Sequence, residues 1–110
     1  MILSCIELIP AQDKRQELLE ILRFVECGVR RNPACNWCGV YESADPEATI
    51  LYLEQWTSER EFRCHIQSRA YLPILNAIDL ANEQPRISFY DIESIRSMEF
   101  IEALRARDAG

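Results

Sequence analysis

Apolar residues change their spacing several times along this chain, and each change marks an element. Ile2 to Ile9 is a short run rich in isoleucine and leucine, closed by Pro10, and it predicts a strand. Leu18, Ile21, Leu22, Val25 and Val29 then recur at three- and four-residue steps. That spacing is one buried face of a helix over about Ala11–Cys27, with Gly28 placed to end it. "ACNWCGVYES" reads as a second strand, the Asp45-Pro46 pair as a turn, and "EATILYLEQW" as the third and clearest strand, pairing with the second as a hairpin. Ser58-Glu59-Arg60-Glu61 fits a capping box, in which a Ser and a Glu three residues apart satisfy each other's backbone donors, so a second helix starts there. Pro73 lacks a backbone donor and opposes an uninterrupted helix. The helix therefore breaks before it and resumes as "PILNAIDLAN". "RISFYDI" is a fourth strand, and Met98, Ile101 and Leu104 predict a short helix within a C-terminal extension, residues 93–110.

The order strand, helix, strand, strand, helix, strand is the split βαβ arrangement of ferredoxin-like folds. The predicted architecture is α+β: a four-stranded antiparallel sheet with helices on one face, in a single domain spanning residues 1–110. Alternation along the third strand puts Ile50, Tyr52, Glu54 and Trp56 on one side and Leu51, Leu53 and Gln55 on the other. The first strand divides into Ile2, Ser4, Ile6 and Leu8 against Leu3, Cys5, Glu7 and Ile9. Both sides carry large apolar groups. Since helices cover only one, the other is expected to be covered by the same sheet of a second copy, giving a homodimer through the sheet face.

Composition narrows the partners. The 110 residues carry 18 acidic against 12 basic side chains, a formal charge of −6, which argues against a polyanionic partner such as DNA or RNA. The Arg30-Arg31 pair reads as a solvated loop. The opening "MILSCIELIP" has no basic leader and gives way to "AQDKRQE" before a membrane span is complete, so neither membrane nor secretory routing is expected and a cytoplasmic location is. Five widely spaced cysteines agree with a reducing compartment.

His65 is the only histidine in the chain. It lies seven residues beyond Ser58, roughly 10 Å along a helix, which sets it opposite Leu53. It shares a helix face with Phe62 and Ile66 and so points inward, either as a general base or as a hydrogen-bonded core residue. Trp56, Tyr52 and Tyr90 are candidates to wall a flat aromatic ligand with Phe62, or to be plain core. Glu54, on the same strand parity, can orient a base or form a rim salt bridge. Cys35-x-x-Cys38 is expected to be inert, because residues three apart on a regular strand face opposite ways and no second pair completes a zinc set. Cys64 projects about 100° from His65 around a helix, which disfavours a Cys–His pair. No metal and no cofactor is expected, and the chain has no phosphate-binding glycine motif.

Two stretches carry a family resemblance. "LYLEQWTSEREFRCHIQS" joins an aromatic-acid-x-Trp strand end to a Ser-capped acidic helix start, with His followed three residues later by Ser; "NPACNWCGVYES" has a Pro-small-Cys lead-in to its strand. Over residues 2 to 92 the chain resembles the antibiotic biosynthesis monooxygenase domain family. The resemblance implies a ferredoxin-like domain forming a dimeric α/β barrel. The family hosts cofactor-free quinol or polyketide oxygenases, haem-degrading enzymes, isomerases and proteins without known activity. Its haem-degrading branch uses an Asn on the first strand with a Trp and a His on later helices. Here the first strand has no Asn, and His65 and Leu75 stand about where that Trp and His fall, so haem degradation is disfavoured. The expectation is a cofactor-independent monooxygenase acting on a small aromatic, quinol-like or polyketide-like substrate, with His65 as base. The alternative is a non-catalytic, dimeric ligand-binding or accessory protein of the same fold.

Overall fold

The computed structural model describes residues 1–82 and 84–109, the side chains of 107–109 excepted. Its elements run β1 (Ile2–Leu8), α1 (Arg15–Val29), β2 (Cys35–Glu42), β3 (Ile50–Trp56), α2 (Glu59–Gln67), a 3-10 turn (Arg69–Tyr71), α3 (Leu72–Asp79), β4 (Arg86–Asp91) and α4 (Met98–Ala109). The strands form one sheet in the order β2-β3-β1-β4, with every neighbouring pair antiparallel. This is the expected ferredoxin-like arrangement.

The parity read from the sequence is the parity of the sheet. Ile2, Ser4, Ile6 and Leu8 of β1 lie opposite Trp56, Glu54, Tyr52 and Ile50 of β3, and all eight are buried beneath the helices. Leu18, Leu22, Val25 and Val29 of α1, with Ile74 and Ala77 of α3, close the core over them. The other sheet face has no helix on it. Leu3, Leu51 and Leu53 there are only partly buried, and Trp37, Tyr41 and Tyr90 are exposed. On that face Trp37 Nε1 donates to the Tyr41 hydroxyl at 3.1 Å. The Tyr41 ring lies over Gly39, where a Cβ would fall 2.6 Å from its oxygen, so this close approach requires glycine.

Three boundaries differ from expectation. Helix α1 starts at Arg15 and runs through Gly28 to Val29, ending on Arg30 in right-handed geometry; no described glycine has positive φ, so Gly28 is not a left-handed cap. Arg30 is not simply a solvated loop residue, since its guanidinium donates to the Cys38 carbonyl at 2.8 and 3.1 Å. Strand β2 carries a bulge between Cys35 and Trp37: Cys35 pairs with Trp56 and Cys38 with Glu54, so the extra residue puts both cysteines on the helix-covered face. The expected divergence of the two sulfurs is thereby corrected.

The break before Pro73 is present. Ser68 is extended, its hydroxyl returns to the His65 carbonyl at 2.6 Å, and Pro73 sits in the first turn of α3. The C-terminal helix α4 is formed, but Met98, Phe100, Ile101 and Leu104 remain exposed on it, so it does not close the domain.

Candidate functional site

The site grows from a strand of alternating polar tips. In Tyr52-Leu53-Glu54-Gln55-Trp56, residues two apart share the covered face, which brings a phenol, a carboxylate and an indole side by side. The Glu54 side chain is sealed, with 1% of its surface exposed. Three donors converge on it: Tyr52 Oη to Oε2 at 2.5 Å, Trp56 Nε1 to Oε1 at 2.9 Å, and His65 Nε2 against Oε2 at 3.0 Å. Cys38 Sγ completes the chain by donating to the Tyr52 oxygen at 3.3 Å. A carboxylate taken from water costs free energy unless it is hydrogen-bonded, and here both oxygens are engaged.

Helix α2 delivers His65. The Ser58 hydroxyl accepts from the Glu61 amide at 3.3 Å and fixes the helix start. Phe62 and His65 are the buried residues of α2, so that face lies on β3. The imidazole stacks on Trp56 at 4.6 Å between ring centroids and meets the edge of Tyr71 at 5.3 Å. Its strand contact is with Glu54 and Trp56 rather than Leu53, because Leu53 has the opposite parity. Ile66 does not share the buried face and is 37% exposed.

The tautomer follows from the bonds. Trp56 and Tyr52 each donate to Glu54, so the carboxylate is the acceptor in this network. His65 Nε2 therefore carries the hydrogen of that contact. Nδ1 takes no hydrogen bond among the described residues, and no sealed side-chain nitrogen or oxygen there lacks a partner. Nδ1 thus has access to open space. His65 lines a cleft of about 480 Å³ between α1 and α2, together with Phe24, Val25, Val29 and Pro73.

The remaining acids of the site are held neutral. Burial pushes the Cys38 thiol up to about 12. Burial, followed by the charge of Glu54, pushes Tyr71 up to about 12 and Tyr52 far above the ordinary phenol range.

The six residues singled out from the sequence therefore separate. His65 lines the cleft, with the buried Trp56 stacked behind it. Tyr52 and Glu54 are sealed behind them and reach the cleft only through His65, so Glu54 is not a rim salt bridge. Phe62 and Tyr90 border a different, smaller groove of about 230 Å³ at the β4 edge. The expected common aromatic wall is corrected by strand pairing: Tyr90 lies opposite Leu3, on the far sheet face from Tyr52 and Trp56. Sequence reasoning missed Cys38, Tyr71 and the α1 wall. Cys38 was hidden by the bulge and Tyr71 by the helix break, whereas the α1 residues were legible as core but not as one side of a cleft. Among the described residues no group of three or more His, Cys, Asp or Glu is placed to hold a metal, and no helix is long and apolar enough to cross a membrane.

Neither a protein-family model nor a curated protein matches the chain. Solved structures do. Rv0793 from Mycobacterium tuberculosis superposes with a TM-score of 0.78 at 21% identity, covering 87% of this chain and 98% of that one. A proposed antibiotic biosynthesis monooxygenase from Deinococcus radiodurans gives 0.77 at 20% identity, over 89% of this chain and 99% of its own. Another from Nitrosomonas europaea gives 0.75 at 18% identity, over 86% of this chain and 100% of its own. At such identities the likeness is one of architecture, and in architecture this chain has the ferredoxin-like α+β fold of the antibiotic biosynthesis monooxygenase structures.

Proposed function

We propose that this protein is a cofactor-independent monooxygenase that acts on a quinol-like or polycyclic phenol, with His65 as its general base. The observation that carries the reading is the two-sided histidine: Nε2 is tied to a sealed carboxylate, and the residue lines an apolar cleft. Nδ1 takes the substrate's hydroxyl proton, and Glu54 stabilises the imidazolium that results. The phenolate is electron-rich enough to react with dioxygen directly. One oxygen atom becomes bonded to a substrate carbon, and the other leaves as water with two of the substrate's hydrogens. All four electrons come from the substrate, so a quinol becomes a hydroxylated quinone. Trp56, itself fully buried, backs His65 by stacking on it, and Tyr52 and Glu54 act through His65. Dimerisation through the uncovered sheet face belongs to the same proposal, supported by the leucines and aromatic residues left on that face.

One observation favours a second reading. The hydrogen-bond capacity of Glu54 is met by the protein alone, so the network is complete as a core feature and suits a non-catalytic ligand-binding protein as well. Oxygen uptake with a panel of hydroquinones separates the two. The wild-type protein is expected to exceed the buffer rate, and His65→Ala to lower the enzymic rate about 100-fold or more while remaining folded. Uptake no faster than autoxidation with every member of the panel refutes the oxygenase reading.

A further inference from the structure

Gly28 has no folding role in the place where it stands. It lies inside α1 with ordinary helical handedness, so no left-handed cap requires it. A Cβ built on it meets nothing within 4 Å, so no close packing requires it either. Glycine in a helix is entropically unfavourable relative to alanine, and a position that tolerates alanine without strain gains stability from the exchange. The missing side chain does open one thing: Gly28 lines the cleft into which His65 points. His65, which lines the same cleft, is itself 93% buried, and its Nδ1 has no hydrogen-bond partner among the described residues.

We infer that Gly28 is the specificity-determining residue of the cleft, leaving the α1 backbone bare so that a flat, uncharged ring system can lie between α1 and α2 with its hydroxyl on His65 Nδ1. This rests on the functional reading above and names the substrate's shape and charge. Phe24 and Val25, one turn earlier on α1, and Pro73 across the gap flank the bare backbone with apolar surface. Among the described residues no Lys or Arg lines the cleft, and Glu61, one turn before His65 on α2, is an acidic member. A carboxylate or phosphate on the ligand would lose its hydration there without gaining a cationic partner. A neutral phenol leaves only its hydroxyl to satisfy, and Nδ1 does so.

The test is binding, which does not depend on turnover. 2-Naphthol, a planar phenol stable in air, is titrated into wild-type protein while the single imidazole is followed by NMR and affinity is measured by calorimetry. The expected result is that 2-naphthol binds and shifts the His65 resonances, that 2-naphthoate binds at least tenfold more weakly, and that Gly28→Leu weakens naphthol at least tenfold. Gly28→Ala serves where the larger variant does not fold: it is expected to raise Tm and to weaken naphthol severalfold. Absence of naphthol binding, equal affinity for naphthoate, unchanged affinity in both variants, or a lower Tm for Gly28→Ala overturns the inference. If the binding pattern holds but no hydroquinone is oxidised, the oxygenase reading fails and the assignment of the cleft stands.

Discussion

Glu54 shows how a residue's neighbours decide its role. Composition places a glutamate in solvent, yet this one is sealed because the residues two before and two after it carry a hydroxyl and an indole that donate to it. That signal was present in the sequence as Tyr-x-Glu-x-Trp on a strand, and the parity of the three residues was legible. What parity cannot supply is the identity of the third donor, which comes from a helix eleven residues later. The inward aim of His65 was legible from its spacing to Phe62, but its partner was not, because the point where a helix crosses a strand depends on the loop between them.

The same network predicts an alkaline limit to stability. The folded-state value for Cys38 is raised from 9.0 to about 12 by burial. The unfolded chain therefore loses that proton first, and the stability contributed below pH 9 declines as pH rises toward 12. Tyr52, also raised, adds to the decline above its ordinary value of 10.0. Urea midpoints measured at increasing pH are expected to fall across this window. Cys38→Ser keeps a donor for Tyr52 without a thiol to ionise and should fall less steeply; a midpoint that does not move through the window contradicts the account.

At the scale of elements, helix starts were easier to read than helix ends. The Ser58 cap is visible because an N-cap needs a side-chain acceptor with a free amide three residues on, and both lie within one short stretch. Ser58→Ala is expected to cost about 1 kcal/mol, measured as a drop in chemical-denaturation free energy. A loss within experimental error would mean that strand and helix packing alone hold α2 in place. The end of α1 was misread because Gly28 is a common helix terminator, and only the φ angles show that it is not used as one here. The bulge in β2 left no trace in the hydrophobic pattern, since Asn36 is a polar residue in an exposed stretch.

For the whole molecule, the fold was legible because two spacings, two and three-to-four, alternate in an order with few topological solutions. The cleft was not, since it exists only in how α1 and α2 sit relative to one another. The uncovered sheet face leads to a prediction at this scale: light scattering coupled to size exclusion at micromolar concentration should give twice the mass of the chain. Leu53→Asp, which places a charge on that face, should shift the protein toward the chain mass. A wild-type monomer would refute dimerisation.

The sheet also has edges, and β2 is one of them. The residue inserted at Asn36 interrupts the repeat of backbone donors and acceptors on that strand just where Trp37 is exposed. An uninterrupted edge with an aromatic side chain is a template on which further chains can add strand by strand. The kink that brings two cysteines to one side thus also withholds the straight edge that a fibre needs.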